Sequence, residues 1–476
     1  MKVLFLNPFL YSGKKGKANS PPLGLMYLAA IMERNNYSVK VIDLEALAWT
    51  WDDLKTRLTK EKPDIIGVTG TTLGMPALIA TAKFAKQILP QVKIIAGGFG
   101  PTIEPEKTIM ENSAINIVIV GEGEKTIIEL MEYFTGKKNI KDIKGIAYKE
   151  NGQFVRAPVQ EIIKDLDSIP WPAYHLLEPD FYSYHGVHGK HKGIIKPNAV
   201  MFASRGCPHR CIFCCLGSKI VRFREPKKVV DEIEFYYQKF GVKSIQLYDD
   251  EFVGMTSWQN QWISEICDEI IKRGLNNLGY MVQGRCSRFL DSNVLKKMRE
   301  AGFKWIWWGV ESGSQKILDL IQKDITLESI KRAFALAKEA GIGSLMFIMV
   351  GFPGETKEDA MLSAKLIKEV KPDKIRIHIT TPLPGSKLWN ILAEKNQIET
   401  FDYSKYDSRL HVIHHTDELS SAEIKNLYQM LLFRFENGYW YFMKVLWRSL
   451  FFKEGWNKLP KRINKAFNHF FQWIKK

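Results

Sequence analysis

Three cysteines stand within eight positions of this 476-residue chain: Cys207, Cys211 and Cys214, in the run Arg205-Gly-Cys-Pro-His-Arg-Cys-Ile-Phe-Cys214. Thiolates are soft ligands and select iron–sulfur clusters or zinc over hard cations. Gaps of three and then two residues let one short loop wrap three corners of a cubane. A fourth thiolate at matching spacing is missing, and Cys215 follows Cys214 too closely to take the last corner. The pattern therefore points to a cluster with one iron left open for chemistry. A zinc knob is the plain alternative, although closed structural zinc sites show four ligands in spaced pairs.

The spacing Cys-x3-Cys-x2-Cys, with aromatic Phe213 just before the last cysteine, resembles the cluster loop of the radical S-adenosylmethionine enzymes. That resemblance implies a [4Fe-4S] cluster on Cys207, Cys211 and Cys214, an open iron chelated by the amino and carboxylate groups of S-adenosylmethionine, and reductive cleavage to a 5′-deoxyadenosyl radical. The resemblance also implies roles for residues at the ends of the strands that follow, where barrel chemistry sits. After a strand at 244–248, the carboxylates of Asp249, Asp250 and Glu251 match the segment that holds the ammonium of S-adenosylmethionine. After a strand at 279–283, Arg285 could meet a carboxylate through a charge-assisted pair. After 305–310, Glu311 matches the carboxylate that takes ribose hydroxyls, and after 344–350 the turn holding Gly351 and Gly354 would pass the methionyl end or adenine. Taken alone, a carboxylate at a strand end is a helix cap or a solvated charge. A strand at 374–379 carries Arg376 and His378, the histidine reading first as a satisfied core residue. Tyr248 and the run Trp305-Ile-Trp-Trp308 read as packing.

Two sets of elements must position these groups. Residues 1–150 alternate short β-branched runs, at 2–7, 38–43, 65–69, 93–96 and 117–120, with helical stretches, the pattern of a helix-covered parallel sheet. Small residues follow three of the strands: Gly70-Thr-Thr72, Gly97-Gly-Phe-Gly100 and Gly121-Glu-Gly-Glu124. At the carboxyl ends of parallel strands such glycines let backbone amides approach a ligand closely. With Pro21-Pro-Leu-Gly-Leu-Met-Tyr-Leu-Ala29, these turns resemble the cobalamin-binding domain that precedes the radical core in one large class of these enzymes. The resemblance would put Thr69, Gly70, Thr71 and Thr72 under the corrin ring, and Gly97, Gly98, Gly121 and Glu122 along the nucleotide tail. No Asp-x-His-x-x-Gly loop is present and no histidine falls in the first 150 residues, so cobalt should lack a protein histidine on its lower face. A flavodoxin-like domain without a ligand is the plain alternative.

A linker at 151–194, stiffened around Ile169-Pro-Trp-Pro-Ala-Tyr174, leads to a second alternating region at 195–400 with strands at 199–204, 244–248, 279–283, 305–310, 344–350 and 374–379. The expected fold class is α/β: an N-terminal Rossmann-like parallel sheet, a central partial (β/α)6 TIM-like barrel and a C-terminal helical segment at 401–476. Ser420 reads as a helix cap.

Six cysteines, three of them clustered, exclude a disulfide scaffold, and Cys267 and Cys286 read as inert buried thiols. No signal peptide and no apolar run of about 20 residues is seen, which predicts a cytoplasmic protein. The formal charge of +16 finds its main expression after Gly438, where Leu459, Ile463, Phe467, Phe470, Phe471 and Ile474 make an apolar stripe beside Lys461, Arg462, Lys465 and Lys475. Such a helix could lie peripherally at the inner membrane face or fold back on the barrel. No nucleic-acid module accompanies the charge, so no nucleic-acid partner is expected. The expected function is a cobalamin-dependent radical methyltransferase acting at an unactivated carbon of a small-molecule or lipid substrate, served by an electron donor such as flavodoxin or ferredoxin. The rivals are a cyclase or oxidase with the same cofactors and a non-catalytic corrinoid or iron–sulfur sensor.

Overall fold

The computed structural model describes residues 1–9, 21–177, 197–215 and 218–437. The first strands are short and apolar on both faces, as strands covered by helices on two sides must be. They are β1 (Lys2–Asn7), β2 (Ser38–Asp43), β3 (Ile65–Thr69), β4 (Lys93–Gly97) and β5 (Ile117–Ile119), all parallel. Alternation sorts their side chains. Val3, Phe5, Ile65, Ile95, Ile117 and Ile119 pack beneath the helices Leu23–Arg34 and Glu124–Phe134. On the other face Leu4, Leu6, Ile66, Val68, Ile94 and Val118 meet the helices Trp51–Glu61 and Met75–Ile88.

The parallel strands lie where the sequence predicts them, but the sheet is larger. β6 (Ile146–Glu150) and β7 (Gln153–Arg156) extend it antiparallel, giving the order β2-β1-β3-β4-β5-β6-β7. Their turn is Asn151-Gly152, both at positive φ (48° and 83°), the backbone that a tight hairpin turn requires. The first sheet therefore runs past residue 150, where the first domain was expected to end.

The second sheet has six parallel strands in the order β15-β14-β13-β12-β11-β8. These are β8 (Asn198–Met201), β11 (Ser244–Leu247), β12 (Gly279–Gly284), β13 (Phe303–Glu311), β14 (Gly343–Val350) and β15 (Lys374–Ile379). A ribbon of β9 (Ser204–Arg205) and β10 (Arg222–Phe223) stands between β8 and β11 in the chain. The strand expected at 199–204 is thus split, because the chain leaves the sheet after Met201. Ile306, Trp308, Val310, Met346, Ile348 and Ile377 face the surrounding helices. Met281, Trp305 and Leu345, with half-buried Trp307 and Phe347, form a separate cluster that lines the concave face.

A partial barrel leaves two edges with unpaired backbone groups, which must be covered. On β8 the Tyr174 hydroxyl, supplied by the linker, donates to Val200 O (2.8 Å) and accepts from Val200 N (2.6 Å). On β15, Ile379 N donates to Ser408 O at 2.6 Å. Residues 401–419 hold no α-helix, only a 3-10 turn at Tyr403–Lys405, and form a strap: Tyr403, Tyr406 and Ile413 continue into the core beneath the first sheet. The helix Ser421–Leu431 begins at the expected cap, with Ser420 and Glu423 in a reciprocal capping box. The basic and aromatic stripe beyond Gly438 lies outside the described residues. Among those described, no helix is long and apolar enough to cross a membrane.

The β8 edge yields a direct test. Tyr174→Phe strands two buried backbone groups and should lower stability by about 1–3 kcal/mol, seen as a fall in Tm of roughly 3–8 °C. Melting at the wild-type temperature would show that the hydroxyl does not serve the edge.

Candidate functional site

The cysteine loop begins where β9 ends and is held from several directions. Gly206 sits at φ 97°, and a Cβ there would lie 2.3 Å from Ile220 O, so only glycine fits. Ile212 N donates to Ile321 O (3.0 Å), while Ile212 O accepts from Leu388 N (2.8 Å), which pins the loop to later parts of the barrel. Phe213 packs against Phe352 with ring centroids 5.8 Å apart. Cys207, Cys211, Cys214 and Cys215 are partly exposed and in no disulfide, whereas Cys267 and Cys286 are buried. Burial, reinforced by Glu251 and Asp250, pushes the Cys207 thiol up to about 11. It should therefore release its proton on binding iron. Among the described residues no three Cys, His, Asp or Glu side chains converge on a single ion. A cluster needs no such point, because each cysteine ligates its own iron.

The carboxylates after β11 divide their work. Asp249 does not reach the cleft: its oxygens accept from Ala203 N (2.8 Å) and Ser204 Oγ (2.6 Å), and burial raises it to about 7. It braces the turn by which the chain leaves β8, and its carboxylate is engaged within the chain. Asp250 accepts from Gly206 N at 3.0 Å. Glu251 Oε2 lies 3.1 Å from His209 Nε2 and 3.8 Å from Cys207 Sγ, while its Oε1 is buried without a hydrogen-bond partner. Arg285 Nη2 is a second such orphan. Unpartnered buried polar atoms are rare and need a reason. An acidic orphan beside the Cys207 thiol and a cationic one after β12 suit the ammonium and carboxylate of an amino-acid ligand.

Glu311 ends β13 at φ 69°, a left-handed conformation rare for a non-glycine residue, where the register with β14 shifts. Its Oε1 accepts from Lys323 Nζ at 2.8 Å. Lys323 is buried and was not singled out in the sequence, where nothing local marks it. Gly351 (φ 98°) donates to Glu355 Oε2 at 2.5 Å, and Gly351 O accepts from His414 Nε2 at 2.7 Å. Gly354 N donates to Glu418 Oε2 at 2.9 Å. The expected turn is thus held by its own Glu355 and by His414 and Glu418 from the strap.

On the first sheet the ends of β3, β4 and β5 form a floor of backbone. Gly70 N donates to Gly97 O (3.1 Å) and Gly100 N to Gly70 O (3.0 Å). A Cβ on Gly98 would lie 2.7 Å from both Gly70 O and Thr69 Oγ1. Gly121 has nothing within 4 Å on its Cβ side, and its N–H donates to Thr102 Oγ1 at 3.1 Å. Thr71, Gly98 and Gly121 are exposed, while Thr72 is buried. Among the described residues the Gly121 backbone faces open space, which fits a broad, flat ligand such as a corrin. The Glu122 carboxylate, next to Gly121, is engaged within the chain: both its oxygens are taken by Arg222, and Arg205 stands 3.9 Å away.

On the concave face of the barrel Trp307 meets Phe347 edge-on at 5.9 Å, and Phe347 lies 5.7 Å from His378. His378 Nδ1 is 2.9 Å from Ser408 Oγ, so the histidine is satisfied as expected. Arg376 shares that face of β15.

A three-cysteine loop on a partial parallel barrel, preceded by a glycine-ended parallel sheet, defines a radical enzyme core with a corrinoid-type domain. Residues 201–367 match the radical SAM superfamily and residues 14–131 the B12 binding domain. A methyltransferase-named relative from Pyrococcus horikoshii is 34% identical over 436 residues, covering 90% of this chain and 92% of that one. The anaerobic magnesium-protoporphyrin IX monomethyl ester cyclase of Rubrivivax gelatinosus is 33% identical, covering 86% and 72%. The chain belongs to the cobalamin-dependent radical S-adenosylmethionine enzymes. The cofactors of that family are a [4Fe-4S] cluster, S-adenosylmethionine and cobalamin. The fold is shared with the cobalamin-dependent radical enzyme OxsB (TM-score 0.75, 16% identity, 98% of this chain and 72% of that). It is shared too with the methyltransferase TsrM from Kitasatospora setae (TM-score 0.66, 20% identity, 83% and 76%).

Glu355 gives a pH test of the turn after β14. Burial pushes its carboxyl up to about 7, against the opposing hydrogen bonds from Gly351 and Phe352. The folded state therefore holds a proton that the unfolded chain releases near 4.3, and the stability this confers at low pH is lost as pH rises through about 7. Glu355→Gln keeps an acceptor for Gly351 and Phe352 but cannot titrate. Between pH 5 and 8 the wild type should lose on the order of 2 kcal/mol relative to the variant, read from urea melts. Parallel pH profiles would refute the assignment.

Proposed function

We propose that this protein is a radical methyltransferase that alkylates an unactivated carbon of a small apolar molecule. The observation that carries the reading is the ion pairing of Arg205, two residues before Cys207, with Glu124, three residues after Gly121. It sets the thiol loop and the glycine floor side by side. Cys207, Cys211 and Cys214 would ligate the cluster, with Phe213 shielding it. Asp250, Glu251 and Arg285 would hold the amino-acid end of S-adenosylmethionine, and Glu311, oriented by Lys323, its ribose. Gly351 and Gly354 would shape the turn beside that ligand. Thr69, Gly70, Thr71, Thr72, Gly97, Gly98 and Gly121 would carry the corrin. When bound, these groups supply reductive cleavage of the sulfonium and a transferable methyl group. The chain's own part is to hold substrate against Trp307, Phe347 and Met349 on the concave face, and to keep water from the reacting carbon.

A flavodoxin or ferredoxin would bring the electron, and contact of residues 438–476 with an anionic membrane surface would suit a lipid substrate. Both rest on the sequence. The relatedness to a cyclase supports a second reading in which the same cofactors close a ring.

Two measurements decide. Cys207→Ala, Cys211→Ala and Cys214→Ala should each abolish retention of the reconstituted cluster, whereas Cys215→Ala should load like wild type. A cluster that survives loss of any of the three, or fails without Cys215, overturns the ligand set. The reconstituted protein, given cobalamin, reductant, S-adenosylmethionine and apolar small-molecule extracts, should form both 5′-deoxyadenosine and S-adenosylhomocysteine with a methyl-sized mass gain. Deoxyadenosine with an altered product but no added methyl would favour the cyclase reading instead.

A further inference from the structure

The two halves of the molecule meet in a charge cluster that the chemistry above does not consume. β9 and β10 pair Arg205 with Arg222 on one ribbon. Facing them is the loop Gly121-Glu-Gly-Glu124 of the first sheet. Arg205 Nη1 lies 2.6 Å from Glu124 Oε1 and 3.9 Å from Glu122 Oε2. Arg222 grips Glu122 with both terminal nitrogens, one at 2.9 Å, and also donates to Ile163 O at 2.7 Å. The Arg205 guanidinium is further enclosed by Tyr27 and Phe202, whose rings lie 5.0 Å and 5.6 Å from it. The side chains of Arg205, Glu124 and Arg222 are only 14%, 7% and 5% exposed.

Surface ion pairs are pliable and screened, but charges enclosed this far hold each other in a narrow geometry. The cluster joins two short levers. On one side, Arg205 is separated from Cys207 only by Gly206, whose N–H is held by Asp250 at 3.0 Å. On the other, Glu122 directly follows Gly121, whose open side belongs to the corrin floor. Movement of either loop must stretch an ion pair or move the other loop.

We propose that Arg205 and Glu124, supported by Arg222 and Glu122, are positioning residues that couple the two cofactor sites, so that filling the cluster site tightens the corrinoid site and the reverse. The inference rests on the assignment of both sites under Proposed function. Arg205 acts through the loops and not on the reacting atoms. Because coupling between sites is reciprocal, either direction reports it.

The test uses the full chain, purified without oxygen, cluster-free and cluster-reconstituted. Hydroxocobalamin is titrated into each, and bound corrinoid is read by absorbance after ultrafiltration. The wild type should bind hydroxocobalamin about 5-fold or more tightly with the cluster present, the lower end of ordinary coupling. Glu124→Gln, which keeps the shape and drops the charge, should bring that ratio near one while both sites still fill. Arg205→Lys, which keeps a cation, should retain part of it. A wild-type ratio of one overturns the proposal without recourse to any variant, and so does a wild-type ratio in folded Glu124→Gln. Should Glu124→Gln not fold, Glu122→Gln is read by the same criterion. Failure of the wild type to take up iron or corrinoid at all is a distinct result: it overturns the site assignments themselves, and this coupling with them.

Discussion

The Asp249 carboxylate is buried where a carboxylate is expensive to keep, and its position explains much of the site's architecture. By accepting from Ala203 N and Ser204 Oγ it satisfies the backbone of a chain that has just left β8 and can no longer use the sheet. Asp250 continues the brace one residue further, at Gly206 N. The thiol loop therefore starts from a fixed point, and Ile212 pins its middle to the opposite side of the barrel. Three cysteines on an unbraced loop would have to be ordered by the metal itself. Here much of that ordering entropy is already lost in the fold.

The incompleteness of the barrel has a consequence for how the halves are joined. Six strands do not close, so β8 and β15 each present an edge. The covers come from segments that also pack on the first sheet or its helices. Ala173, next to Tyr174 of the β8 cover, donates to Met26 O, while the strap that caps β15 carries Tyr403 and Tyr406 into the first sheet's core. Edge protection and domain docking are thus achieved by the same residues. The helix Leu23–Arg34 has the same double character: its Met26 joins the barrel core while its other apolar residues join the first sheet's.

What could be read in the sequence follows the range of the forces involved. The strands Lys2–Asn7, Ser38–Asp43, Ile65–Thr69 and Lys374–Ile379 are short β-branched runs, some apolar throughout and some alternating, and their limits agree with the structure to the residue. The thiol spacing and the Ser420 cap are equally local. The β6–β7 hairpin also carries a local signal, in Asn151-Gly152. The inward turn of Asp249 and the capture of Glu122 by Arg222 had no such signal. The first depends on a partner 46 residues earlier, the second on one 100 residues away. Lys323 is known only through Glu311. A carboxylate at a strand end looks the same in sequence whether it faces a ligand, a backbone amide or an arginine.

That ambiguity is resolved by asking which polar atoms the protein has left without a partner. Asp249, Asp250 and Glu122 have each found hydrogen-bond donors within the chain. Glu251 Oε1 and Arg285 Nη2 are buried without one, and Glu311 is held in a left-handed conformation that its own backbone disfavours. A fold selected for stability alone would remove such features, since an unmet buried polar atom costs about 1–3 kcal/mol. Glu251 beside the Cys207 thiol and Glu311 at the end of β13 come from different parts of the barrel, an arrangement that suits a preorganised site for a charged ligand.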